Sequence, residues 1–376
     1  MSHFVGVGLV LGFLLPHTST ALMLVNPLLC IVYQFFKQNR LFYKNNWIVC
    51  MPILLTLLIN IPQEVSIKAI FSCLAILLYF FCFPMIGGVR IHNGYFWLIL
   101  MVVFFTQLAY LLNVSILVSF LDTYYPIPEG ETNGVEAMRA GINYENMWSF
   151  RMGGLYRNSN HCARYLTFLL AAFLILNKGK SIRKMLPFIS ICFFAVLLTG
   201  SRTGLVVISI IIIAYLFINE LISAKWKYGI VFVGMVGFLY LSSSGIYRSL
   251  NVAEGFENSA NYKYYVFADY LKHEESLIRL LLGYLDEGRF QASVGFMKKF
   301  DSDYGCLVFQ YGFVGFLAIL LFFASLFRRM DNMGGIFLVL LLWMLTSTVV
   351  TSYRAFFVFM FLLSLIYNQH KKQLPN

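Results

Sequence analysis

Charge is what this chain has least of. Asp, Glu, Lys and Arg together make up 12% of it, against about 25% in ordinary soluble domains. With 60% hydrophobic residues and a mean hydropathy of +0.75, that scarcity excludes a water-soluble globule, because so much apolar surface cannot be hidden in one core. Such a chain needs lipid as its solvent. Cysteine is sparse as well. The seven cysteines contain no CxxC pair and no metal-ligand spacing, so neither a zinc module nor any other metal site is implied. Cys30, Cys50, Cys73, Cys82 and Cys192 fall inside apolar runs as packing residues. Cys162 and Cys306 stand near the outer ends of two runs and are expected to be free thiols. No positively charged segment precedes the first apolar stretch, so no removable signal peptide is expected. Internal repeats and low-complexity tracts are missing too.

What is present is a succession of apolar runs, at about 4–15, 20–36, 47–61, 65–85, 95–119, 160–177, 184–199, 203–219, 228–244, 303–327, 334–350 and 354–367. The first is short and ends at Pro16, and it either stands alone or joins the second as a kinked hairpin. The expectation is an all-α polytopic membrane protein of eleven or twelve transmembrane helices, each run being near the ~20 residues that cross a bilayer. Two long hydrophilic segments interrupt the series, at 120–159 and 245–302. They divide the chain into N-terminal helices (1–119), a first loop (120–159), central helices (160–244), a large loop (245–302) and C-terminal helices with a tail (303–376).

The net charge of +11 reports topology rather than a nucleic-acid partner. The basic clusters Lys37/Arg40/Lys44, Lys178/Lys180/Arg183/Lys184, Lys225/Lys227, Arg328/Arg329 and Lys371/Lys372 lie in short connections. Alternating spans put all of them on one side, as the positive-inside rule requires, with some attraction to anionic lipid. Of the 17 acidic residues only Glu220 and Asp331 join them there. Both long loops then face outward, where function is expected. Asn261–Leu282 in the second reads as an amphipathic helix lying on the membrane surface.

Arginines on that outer face are the main chemical signal. Arg202 and Arg354 sit in short outer turns, each at the mouth of a helix. An ionisable residue there is a functional candidate, and arginine suits a bidentate grip on phosphate; snorkelling to headgroups is the ordinary alternative. Arg139, Arg151 and Arg279 read as solvated loop charges. Arg157, His161 and Arg164 follow one another at spacings that share a helical face. Asn158 or Ser159 caps that helix, whose N-terminus favours an anion. His161 fits an acid, a base, a phosphate donor or an interfacial residue. Asp301 and Asp303 open a later run, either one as a general base or an arginine partner, with helix capping by Asp301 or Ser302 as the ordinary alternative. The turn Thr199–Gly204 lacks the lysine of a Walker loop.

Three stretches together resemble the O-antigen polymerase and O-antigen ligase superfamily of bacterial envelope glycan assembly. They are GLYRNSNHCA at Gly154–Ala163, TGSRTG at Thr199–Gly204, and DSDYGCLVFQYGFVG at Asp301–Gly315. The resemblance covers about 150–320, with the large outer loop placed just before the last stretch. It implies a metal-independent, inverting glycosyltransferase of the GT-C type in the bacterial inner membrane, active at the periplasmic face. Its substrate would be an undecaprenyl-pyrophosphate-linked oligosaccharide, with no cofactor. Ligases of the superfamily are expected to carry a histidine where this chain has Asp303 and Tyr304, which favours a polymerase. The resemblance further implies pyrophosphate contacts from Arg157, Arg202 and Arg289, with Arg248 or Lys263 in the early-loop role and Arg354 beside them. Acceptor activation would fall to Asp303 or His161. A chain-length regulating co-polymerase is the expected protein partner. The other readings are a ligase acting on lipid A-core and a lipid-linked oligosaccharide flippase, although charges at outer helix ends and unequal loops are unlike a transporter built of repeats.

Overall fold

The computed structural model describes residues 2–15, 32, 46–63, 65–86, 89, 91–125, 152–156, 159–218, 264–274, 276–285, 302–345 and 347–370. Among these the chain is helical and carries no strand. In chain order the helices are α1 (Ser2–Leu14), α2 (Trp47–Asn60), α3 (Ile67–Phe81), α4 (Asn93–Leu111), α5 (Ser115–Tyr124), α6 (Ser159–Leu176), α7 (Ile182–Leu198) and α8 (Arg202–Ile218). There follow α9 (264–273), α10 (Leu277–Leu282), α11 (Asp303–Arg329), α12 (Asn332–Leu338), a 3-10 stretch (Val339–Leu345) and α13 (Tyr353–His370). Among the described residues, α4, α6 and α11 are each long and apolar enough to cross a membrane, and most of the others are shorter apolar helices. The expected runs at 20–36 and 228–244 lie outside the described residues, apart from residue 32.

The chain forms two compact units, one made of 1–20, 90–257 and 335–340, the other of 21–89, 258–334 and 341–376. In the first, α6 is the central element. It is 83% buried, where α4 is 39% buried. α7 and α8 pack on α6, and α1 and α7 pack on α4. The exposed side of α4 is apolar too, with Leu98 and Phe105 outward, as expected where lipid is the solvent. His92 caps α4 by accepting from the Gly94 amide at 3.1 Å. The expected single run at 95–119 is in fact two helices. α4 closes at Leu111, Asn113 takes a positive φ of 50°, and α5 restarts at Ser115, since asparagine tolerates the left-handed conformation that turns a chain.

In the second unit α11 packs against α2 and α10, and α3 against α2 and α13. α11 is broken at Gly312, whose φ of 67° is non-helical. Carbonyls left over at the break find new donors: the amides of Tyr284 and Leu285 donate to Phe309 and Gln310 at 2.9 and 3.0 Å. The run expected at 334–350 is likewise not one helix, since α12 gives way to the tighter 3-10 coil and an irregular turn from 347 to 352.

Within the stretch Asn261–Leu282, expected as one helix, the described residues form two helical pieces, 264–273 and Leu277–Leu282. Glu274 accepts from the Ser276 amide at 2.9 Å, and the Ser276 hydroxyl caps α10 by accepting from Arg279 at 3.4 Å. These local bonds stop α9 and restart the chain as α10. Val266 and Tyr270 of α9 pack against Cys306, Val308 and Phe309 of α11. Tyr265, Leu277 and Ile278 point the other way and are more than 60% exposed. Burial first, and the Glu274 carboxylate second, hold the Tyr270 phenol above its ordinary range.

Candidate functional site

The first and second stretches of the resemblance meet within the first unit. Gly204 lies so close to α6 that a Cβ in its place would stand 2.7 Å from the Ala163 side chain. The glycine therefore lets the start of α8 lie against the start of α6. His161 and Arg164 on α6, and Arg202 as the first residue of α8, consequently belong to neighbouring helix N-termini. Arg164 is fully buried and lies 5.3 Å from the centre of the Tyr165 ring. Tyr165 in turn stacks on Tyr156 at 4.7 Å, and the Tyr156 hydroxyl donates to the Phe13 carbonyl at 3.1 Å. Arg202 and His161 are half-buried.

Gln107 of α4 ties the approach to this region together. Its buried amide nitrogen donates to the Met152 carbonyl at 3.1 Å and the Ala195 carbonyl at 3.0 Å, and meets Cys162 Sγ at 3.4 Å. The Met152 amide donates to Leu198 at 2.9 Å, and the Leu155 amide to Thr106 Oγ1 at 3.1 Å. Residues 152–156 are thus fixed to the ends of α4 and α7 before the chain enters α6. Thr199 and Ser201 make the TGSRTG turn self-supporting: Thr199 Oγ1 accepts from the Ser201 amide at 3.2 Å, and Ser201 Oγ from Gly204 at 3.2 Å.

A helix N-terminus carries a partial positive charge, and an anion rather than a cation is its natural neighbour. Two neighbouring N-termini, with Arg202 in the first turn of α8 and Arg164 in the second turn of α6, concentrate positive charge, and an anion with several oxygens answers both. Arg164 is the residue that sequence reasoning left out of its site. Its spacing to His161 was visible, but its complete burial was not.

In the second unit, Asp303 opens α11 and Arg354 is the second residue of α13. Asp303 is fully buried and Arg354 is 5% exposed. Asp303 does not cap its own helix. Its Oδ2 accepts from the amides of Val349 and Val350, the latter at 2.8 Å. Its Oδ1 accepts from the amide and the hydroxyl of Thr351, at 3.0 and 2.7 Å. Ser302 occupies the N-cap position without a side-chain capping bond, so the capping expected of it is not made.

Arg279, expected as a solvated loop charge, is not one. It is half-buried, donates to Asn60 Oδ1 at 2.7 Å and to the Gly283 carbonyl at 3.3 Å, and lies over the Tyr284 ring at 5.0 Å. Arg157, Arg248, Arg289, Arg139, Arg151, Lys263 and Asp301 lie outside the described residues. Cys162 and Cys306 are buried free thiols, as are Cys50, Cys73, Cys82 and Cys192.

A cavity of about 790 Å³ in the second unit lies at the other ends of its helices, lined by Asn46, Phe83, Ala318, Phe322, Arg329 and Asn368 among others. Arg329 is its one charged residue among the described lining, and no acid–base pair accompanies it. No protein-family model, curated protein or solved structure matches this chain.

Proposed function

We propose that this chain is an O-antigen polymerase, a membrane glycosyltransferase that joins undecaprenyl-pyrophosphate-linked oligosaccharide repeat units at the periplasmic face of the bacterial inner membrane. The observation that carries the reading is the contact of Gly204 with Ala163. It gathers His161, Arg164 and Arg202 at two adjoining helix starts, both on the outer side in the alternating topology.

The chemistry that suits this arrangement is displacement at an anomeric carbon. The acceptor hydroxyl oxygen attacks from the face opposite the pyrophosphate, and the C–O bond to the pyrophosphate breaks with its electron pair. Arg202 and Arg164 stabilise the charge that grows on the leaving group, which is electrostatic catalysis at preorganised donors. By the resemblance, Arg157, Arg248, Arg289 and Arg354 supply contacts that hold the pyrophosphate of the bound donor. His161 takes the acceptor proton. No step calls for a metal ion. Membrane lipid surrounds the eleven or twelve spans read from the sequence, and a chain-length regulating co-polymerase sets how many units are joined.

The test is complementation of a deletion strain, with lipopolysaccharide resolved on a gel. The expected result is core carrying one repeat unit in the deletion, long ladders with wild type, and no ladder with Arg202→Ala present at wild-type levels. Bare core in the deletion would sink the polymerase reading. Polymer accumulating on undecaprenyl pyrophosphate would then point to a ligase. Units trapped on the cytoplasmic side would point to a flippase.

A further inference from the structure

We infer that Asp303 is a positioning residue for Arg354 and not the base that activates the acceptor. The inference deepens the glycosyltransferase reading and rests on it for the identity of the anion.

An ionised carboxylate offers about four acceptor sites. In this structure four donors already occupy them: the amides of Val349, Val350 and Thr351, and the Thr351 hydroxyl. A general base must turn a free lone pair toward the proton it removes. Asp303, fully buried and accepting from four groups, has none to turn.

The same four bonds say what the residue does. Residues 347–352 form an irregular turn between the 3-10 stretch and α13. Three successive amides pointing at one acceptor make a concave backbone nest, a shape that holds an anion. Here the anion is a side chain of another helix, and the partners lie 46 to 48 positions away in sequence. Val349 and Val350 are buried, so their amides have no recourse to water if the carboxylate is lost. Asp303 therefore fixes where the turn ends and where α13 begins. Arg354 comes three residues after Thr351, in the first turn of α13, and the direction of its guanidinium follows from that start. A carboxylate clasping backbone thus delivers an arginine to the pyrophosphate.

The two roles separate kinetically. The experiment uses the full-length protein in lipid nanodiscs, with undecaprenyl-pyrophosphate-linked oligosaccharide as donor and acceptor. Asp303→Asn, Arg354→Ala and the double variant are compared with wild type. A positioning role predicts that Asp303→Asn raises KM for the donor by ~10-fold, about the worth of one charge-assisted hydrogen bond. It also predicts an unshifted pH profile, and a double variant no worse than Arg354→Ala. A fall in kcat at unchanged KM, with the acidic limb of the profile removed, would overturn the inference. So would penalties that multiply in the double variant. Where Asp303→Asn does not fold, Thr351→Val removes one of the four donors and is expected to move KM in the same direction by a smaller factor; an unchanged KM there overturns the inference. Amide hydrogen exchange supplies a readout independent of transfer. Residues 349–351 should exchange slowly in wild type and quickly in Asp303→Asn, with α6 unaffected. A wild-type protein that transfers nothing defeats the polymerase reading alone, whereas fast exchange at 349–351 in wild type defeats the clasp.

Discussion

Arg279 reaches back across 219 positions of sequence to donate a 2.7 Å hydrogen bond to Asn60 Oδ1. Asn60 completes the knot by donating to Gly283 at 3.3 Å and to Thr56 at 2.8 Å. The surface segment α9–α10 is thereby fastened to the end of α2.

Breaking that knot should loosen the segment before the rest of the unit. Arg279→Ala is expected to cost about 1–3 kcal/mol, the usual penalty for leaving a buried acceptor without its donor. Arg279→Lys should lose nearly as much, because an ammonium lacks the flat face that lies over Tyr284. Thermal unfolding in detergent measures both. A double-mutant cycle with Asn60→Ala should show coupling, and simple additivity would deny the contact.

Gly312 and Gly179 separate backbone strain from collision. Both have positive φ, 67° and 87°. At Gly312 a Cβ would run into the backbone of Leu281, whereas at Gly179 it would meet nothing within 4 Å. Gly179→Ala should cost about 1–2 kcal/mol, the strain of a left-handed residue alone. Gly312→Ala should cost more than this and yield little monodisperse protein on size exclusion. Equal yields would mean that α10 does not press on the break in α11.

Gly204→Ala tests the meeting of α6 and α8. The added methyl would stand 2.7 Å from Ala163 and 3.2 Å from Val196, and overpacking of this kind typically costs ~1–3 kcal/mol. Transfer activity is expected to fall further than stability, since the two helix starts are pushed apart. Gly204→Ala paired with Ala163→Gly should recover activity. Full activity in the single variant would show that the close approach is not needed.

α10 should lie in the membrane interface. Leu277 and Ile278 are 69% and 62% exposed, and apolar groups so placed belong at the boundary of headgroups and acyl chains. A fluorophore on Ile278→Cys, in a cysteine-depleted background, is expected to be quenched by lipids labelled near the headgroup and much less by a water-soluble quencher. The opposite pattern would place α10 in water.

Much of the helical framework was legible in the sequence because its cause is local. The runs at 47–61, 65–85, 160–177, 184–199, 203–219 and 354–367 became α2, α3, α6, α7, α8 and α13 with ends shifted by a few residues. Apolar length makes the helix, and flanking polar residues stop it. The interruptions were harder to read. Asn113 and Gly312 are single residues inside apolar runs, and only the segments packed against them decide whether they turn the chain. At Gly312 that decision belongs to Leu281, Tyr284 and Leu285, which take up the space and the carbonyls of the break.

The candidate site divides in the same way. Sequence by itself determined that Arg164, Arg202 and Arg354 stand near the starts of α6, α8 and α13. It determined the starts of α6, α8, α11 and α13 as places of interest. Only the tertiary structure decided that Arg164 is fully buried, that Arg279 is held by Asn60, and that Asp303 spends all its lone pairs on residues 349–351. Burial and hydrogen-bond partnership are properties of pairs far apart in the chain, and no local pattern of residues encodes which pair will meet.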